Sequence, residues 1–325
     1  MHTTRGACLA FLCLIAACSS RWESPYDAGG AGWLMSVWGP SENELLAVGG
    51  TPTRGALYRL QDDGYEAVPL GLDVPLLNWI HGFERNDATI VGNGGTILHW
   101  NGTVAMAQAS PSTQDLWGVW GSSPSDLWAV GGNGRNPGEA TLLHFDGTSW
   151  QLVPLPVLQR PNVYALYKVW GSAPSDVWVV GQRGVVLRFD GSSWREELVG
   201  ASDDLIAVWG TDADHVAMVG GRSNGVIASW NGSAFSIRPL APLPCLNGVW
   251  MREPSVVHVV GVDGTTAVVD FESLEADAHY LDTSDDLHSV FGDANGQLTT
   301  VGGNLEASAD PFRGVVYRRR LQPGE

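Results

Sequence analysis

The chain has 325 residues, an ordinary apolar share of 44%, a formal net charge of −17 and a single lysine, Lys168. So acidic a balance argues against nucleic acid as a main partner, because phosphate binding needs basic surface. The length admits one large domain or two, and the apolar content suffices for a sizeable core. The 41 glycines and 15 tryptophans are the features of composition that need an explanation.

At the N-terminus Arg5 precedes an apolar run from Ala7 to Ala17. The run has signal-peptide length and is too short to span a bilayer as a stable helix. It ends in Ile15-Ala16-Ala17-Cys18, which resembles the bacterial lipobox. That resemblance implies cleavage before Cys18, acylation of its thiol and a membrane anchor. Several acyl chains hold stably where one is marginal. Ser19 resembles the signal for sorting to the outer membrane, so the expected location is the bacterial envelope, facing either periplasm or exterior. Cys8 and Cys13 fall in the removed segment. Cys245 is then the one thiol left besides Cys18; no internal disulfide can form, and a buried small hydrophobe is expected there.

The rest of the chain is a repeat. Seven times a position that is usually Gly is followed ten residues later by Gly: Gly39/Gly49, Gly82/Gly92, Gly121/Gly131, Gly171/Gly181, Gly210/Gly220, Met251/Gly261 and Gly292/Gly302. Successive first positions lie 43, 39, 50, 39, 41 and 41 residues apart, the size of a β-propeller blade. Each copy holds four strand signals separated by Gly and Pro. In the third copy they are Trp117 to Trp120, Leu127 to Val130, Thr141 to Phe145 and Trp150 to Val153. Asn101-Gly102, Asp146-Gly147, Asp190-Gly191 and Asn231-Gly232 sit between strands three and four, where a two-residue hairpin turn is expected. Asn101-Gly102-Thr103 therefore reads as a turn, not a glycosylation acceptor.

The tryptophans fall in columns. Trp38, Trp120, Trp170, Trp209 and Trp250 share one position with Phe291. Trp128 and Trp178 share a second, and Trp150 and Trp194 a third. Regular recurrence points to packing between blades rather than to a sugar-binding ladder. The seventh copy holds three strands, Leu287 to Phe291, Gln297 to Val301 and Gly314 to Leu321. Ser20-Arg21-Trp22-Glu23 mirrors the start of strand four in other copies, so a strand at about 20–25 is expected to complete blade seven and remove an open edge. The predicted fold is all-β: a seven-bladed β-propeller with four-stranded blades. Its organisation is a lipoprotein signal peptide at 1–18 and a single propeller domain at 19–325.

The segment DLWAVGG...LLHFDGTSWQLVPLP is similar to kelch-type and BNR-type propeller repeats, with a strand ending in Gly-Gly, an aromatic before a turn, then Trp. Asp146-Gly147 departs from the sialidase Asp-box, in which Gly stands two residues after Asp, and the sixth copy is degenerate. Closest in character are bacterial lipid-anchored propeller lipoproteins with VWGxxPxDxWAVG repeats, a resemblance that specifies a propeller and leaves the function open.

Propeller geometry places the four-to-one and two-to-three loops on one face, the top. Asp115, Asp204 and Asp286 form a column there, with Asp203 and Asp285 beside two of them. Arg54, Arg135, Arg183, Arg222 and Arg313 occupy the two-to-three loops of five blades. Arginine suits bidentate recognition of carboxylates, so this face is the candidate binding face; the alternative is a set of exposed turn residues whose charges neutralise one another. On the bottom, Glu44, Asp87, Asp126 and Asp176 share a column suited to capping turns. His99, His144, Arg59 and Arg188 share a strand-three position read as solvent-facing. No zinc spacing, nucleophile elbow or phosphate loop is present, and no metal or cofactor is implied. The expected function is a non-catalytic binding or scaffold module: a monomer, held to the membrane through Cys18, recognising an envelope protein or glycan. The alternative is a glycoside hydrolase or lyase with paired carboxylates at the central channel.

Overall fold

The computed structural model describes residues 21–41, 44–133 and 139–321. The expected signal region with Cys18, and Arg135 of the arginine column, lie outside these residues. Seven antiparallel sheets span residues 33–68, 77–107, 116–152, 166–197, 205–239, 246–280 and 286–320. Six have four strands in sequential order, and the seventh has three. The first strands of successive blades pack side by side around the axis, and the chain is the seven-bladed, all-β propeller that the repeat predicts.

The two glycine columns have separate physical causes. In the second column, a Cβ on Gly92 or Gly181 would lie 2.5 Å from the carbonyl oxygen of Leu76 or Ala165, at the start of the same blade's first strand. Backbone fills that space in all seven blades, which is why this column has no exception. In the first column the obstacle comes from the neighbouring blade. The Trp38 ring occupies the space beside Gly82, as Trp120 does beside Gly171, Trp170 beside Gly210 and Trp250 beside Gly292. Tryptophan of one blade and glycine of the next are thus one packing unit. Met251 breaks the column, and there Trp209 is only partly buried and donates its indole N–H to Met251 O at 3.1 Å.

A feature the sequence did not reveal is a bulge at the same place in every first strand. The pairing register skips Met35, Asn78, Trp117, Tyr167, Ile206, Asn247 and His288. A bulge re-aims the extra side chain, and several of these reach across to the next blade. Asn78 Nδ2 donates to Leu116 O at 2.9 Å, and Asn247 Nδ2 to Leu287 O at 3.2 Å. His288 Nδ1 meets Met35 O at 2.6 Å, so blade seven is stitched to blade one.

Ring closure follows the expected route in reduced form. Glu23 pairs antiparallel with Arg318 of blade seven's third strand, Gly314–Arg320, through two backbone bonds of 2.8 Å. Trp22 packs against the cluster of Trp250, Leu287 and Leu298. The fourth strand is a single bridge because Pro25 follows two residues later and has no N–H for the ladder.

Two local expectations need correction. The strand-three-to-four connections are four-residue loops: Phe145 pairs with Trp150, leaving residues 146–149 between them. Asp146 Oδ1 accepts the N–H groups of Thr148 and Ser149, and Gly147 alone takes a positive φ, +88°. Asn101, Asp190 and Asn231 do the same. The side-chain acceptor caps the loop, so no two-residue turn forms. Cys245 is only half-buried, and its Sγ contacts Gly221 O at 2.9 Å.

Candidate functional site

The top-face aspartates are brought together with their neighbours' loops in one recurring contact. Asp115 Oδ1 accepts the Gly94 N–H at 2.8 Å, Asp204 Oδ1 the Arg183 N–H at 2.8 Å, and Asp286 Oδ1 the Asp263 N–H at 3.3 Å. Each donor belongs to the preceding blade's two-to-three loop and has a left-handed φ: +65°, +57° and +52°. The column therefore clamps left-handed corners of adjacent blades. Asp204 is buried and also accepts from Tyr167 Oη at 3.1 Å and Arg222 Nη2 at 2.6 Å. Burial, reinforced by Asp204, raises the Tyr167 hydroxyl far above its usual range. Burial foremost pushes Asp286 up to about 6, with Glu306, Asp263 and Asp285 adding to it and the Asp263 N–H opposing.

The arginines divide into two groups. Arg222 is tied to Asp204, and Arg313 Nη2 lies 3.2 Å from Asp285. Arg54 and Arg183 are exposed, and neither guanidinium has an ion pair among the described residues. Arg54 lies on the wall of a groove of about 1150 Å³ between blades seven and one. Its other walls include Tyr58, the Val68-Pro69-Leu70 segment and Phe312. Tyr58 Oη is fixed by a 2.6 Å bond to Ala31 O, and Phe312 packs edge-on against Trp33 with ring centres 4.9 Å apart. A second groove of about 720 Å³ repeats the arrangement at blade three, around Val153-Pro154-Leu155. Val-Pro-Leu stands at the end of strand four in both copies. It becomes a groove wall only through packing, because the opposite wall comes from a neighbouring segment.

On the bottom face the acidic column does more than cap turns. Asp126 Oδ1 lies 2.7 Å from His144 Nε2, Asp87 Oδ1 lies 3.1 Å from His99 Nε2, and Asp176 Oδ1 lies 2.8 Å from Arg188. The strand-three column is thus not a freely solvated position. His144 stacks on Trp128 with centres 4.2 Å apart, and the Arg188 guanidinium sits 4.4 Å from the Trp178 ring centre. Acid, base and tryptophan of one blade stack together, and the tryptophan then meets the next blade, Trp128 against Trp194 and Trp178 against Trp230, which gives this column its packing role. Arg59 departs from the pattern and faces Glu66 at 3.8 Å. Among the described residues no group of three or more His, Cys, Asp or Glu is placed to hold a metal ion.

The central channel is packed. The first strands fill it with side chains such as Trp38, Trp120, Trp170 and Val208, leaving a void of about 80 Å³. Small-molecule sites have roughly 300–1,000 Å³, so this void is too small for a sugar ring and its catalytic carboxylates. Lys168 and His81 line it. Burial pushes Lys168 down to about 7 and His81 down to about 4. Neither residue stood out as channel-lining in the sequence, although a lone lysine in a strand-one repeat was a visible signal.

No family model and no curated protein matches the sequence. Solved structures do match. The WD40 β-propeller domain of Doa1 superposes with a TM-score of 0.70 at 11% identity, covering 94% of this chain and 98% of that one. YCF48 bound to D1 peptide gives 0.66 at 14% identity, with 93% and 97% covered. YCF48 from Cyanidioschyzon merolae gives 0.68 at 11% identity, with 92% and 98% covered. At such identities the likeness is one of fold, and the chain is a seven-bladed β-propeller.

Proposed function

We propose that this protein is a non-catalytic binding scaffold of the bacterial envelope, anchored through acylated Cys18, that holds an acidic peptide segment of a partner protein on its top face. The carrying observation is Arg54: an exposed guanidinium without an ion pair among the described residues, on the wall of a groove of about 1150 Å³. Tyr58, Leu70 and Phe312 offer a peptide apolar contacts along the groove. Arg183 adds a second exposed cation to the same face. In a chain of net charge −17, cationic points on one face select for carboxylates and set register more than they add affinity. The structurally similar YCF48, described as bound to D1 peptide, supports peptide recognition by this fold.

The anchor fits this reading. Glu23 runs antiparallel to the third strand of blade seven, so the described chain enters the ring from the bottom face, the side on which this proposal puts the membrane. The tether from Cys18 to Trp22 spans roughly 10–14 Å if extended. The body then sits close to the membrane as a monomer with the grooved face turned away from it.

The test is fluorescence anisotropy with an Asp/Glu-rich peptide and its Asn/Gln counterpart. The acidic peptide is expected to bind more tightly, with affinity falling as salt rises. Arg54→Ala with Arg183→Ala is expected to weaken it at least tenfold with the fold intact by circular dichroism. Equal binding of both peptides, or unchanged affinity in the double variant, removes the proposal.

A further inference from the structure

We propose that the central channel binds a small monoanion, a halide or a one- or two-carbon carboxylate, on the ammonium group of Lys168. Lys168 is the only lysine in 325 residues and is 4% exposed. A lysine so buried is rare unless it is paired, yet no carboxylate forms an ion pair with it among the described residues. Its Nζ donates to Trp117 O at 2.9 Å and lies 4.3 Å from the Trp79 ring centre. An ammonium has three donors, and this carbonyl takes one.

The remaining geometry points to a counter-ion. Lys168 lines the void of about 80 Å³, together with His81 and Ser289. His81 Nε2 is buried and has no hydrogen-bond partner among the described residues. The single proton of this neutral imidazole is directed at the Gly121 backbone, so the positive charge facing the void is carried by Lys168 alone. The void has room for a few waters, and so for an ion of the size of chloride, formate or acetate. The other walls are Trp, Val and Phe side chains. An unpaired charge in such surroundings is costly, and an anion beside it offsets that cost.

The titratable groups around the void are few. His81 faces it from blade two, and His288 of blade seven lies within electrostatic reach of Lys168. Burial holds both histidines neutral at pH 7, His81 down to about 4 and His288 down to about 3. One net positive charge therefore faces the void when Lys168 is protonated, which matches a monoanion rather than a dianion.

A sole lysine makes the test direct. Protein made with ¹³Cε,¹⁵Nζ-lysine gives one side-chain signal. It is followed from pH 5 to 10 in gluconate, an ion too large for the void, and then with chloride, formate and acetate added. The expected result is saturable perturbation by the small anions and a rise of the apparent Lys168 pKa by at least one unit, a tenfold preference of the anion for the protonated form. Which anion saturates lowest identifies the ligand. Thermal stabilisation by that anion is expected in wild type and absent in Lys168→Met; if that variant fails to fold, the wild-type signal decides alone. A signal that drifts equally with gluconate, or that no small anion shifts, overturns the proposal.

Discussion

Asp204 shows how one side chain in a repeat acquires work its column does not specify. All three column aspartates accept a backbone N–H from the preceding blade's left-handed corner, but Asp204 alone also holds Tyr167 and Arg222. Removing it leaves a left-handed corner, a buried hydroxyl and a guanidinium without their acceptor. Asp204→Ala is expected to lower unfolding free energy by about 2–4 kcal/mol, against about 1 kcal/mol for the half-buried Asp115→Ala. Equilibrium urea denaturation measures both, and equal costs would contradict the role given to the Asp204 network. The aspartates were visible as a column but not as clamps, because their donor partners lie one blade away, 21 residues back for Asp115 and Asp204. The arginines show the opposite. The sequence grouped them, and only packing separated Arg222 and Arg313, which are paired, from Arg54 and Arg183, which are not.

The glycines define the strands as elements. Second-column glycine is needed because the start of strand one crosses strand two at backbone contact. Gly181→Ala would put a methyl 2.5 Å from Ala165 O and 3.0 Å from Leu166 Cα. Neither atom is the end of a flexible side chain, so a cost at the upper end of the overpacking range, about 3 kcal/mol, is expected. Gly64→Ala is the control. Nothing lies within 4 Å of its added methyl and its φ is not positive, so stability is expected to stay within about 0.5 kcal/mol. A drop in thermal midpoint for both variants alike would reject the crossing as the cause. The N-terminal strand was placed correctly from Trp22 and shortened by Pro25, a residue whose effect on a ladder was also readable. The seven bulges had no such signal. Met35, Asn78, Trp117, Tyr167, Ile206, Asn247 and His288 share no chemistry, because a bulge is a matter of register and not of side-chain type.

At the level of the whole molecule, the ring forces an ionisable group into its axis. Lys168 is held near 7 by burial and titrates near 10.5 when unfolded. Between these values the unfolded chain binds more protons than the folded one, so stability rises with pH across that window. In gluconate buffer, the stability of wild type relative to Lys168→Met is therefore expected to rise steadily from about pH 7 to about pH 10.5. Urea unfolding at a series of pH values measures the difference. A difference that stays flat would show that Lys168 keeps its charge inside the fold or reaches solvent.

By itself the sequence determined the propeller. Period, paired glycines and tryptophan columns are local signals, and seven copies of one unit that cannot bury its own face must close on one another. It also marked which residues would crowd the top face. The tertiary structure alone decided which of those are clamps and which are free, where a groove opens and what fills the axis. Each of these depends on contact between neighbouring blades, and such contacts join residues that a repeat read copy by copy never places side by side.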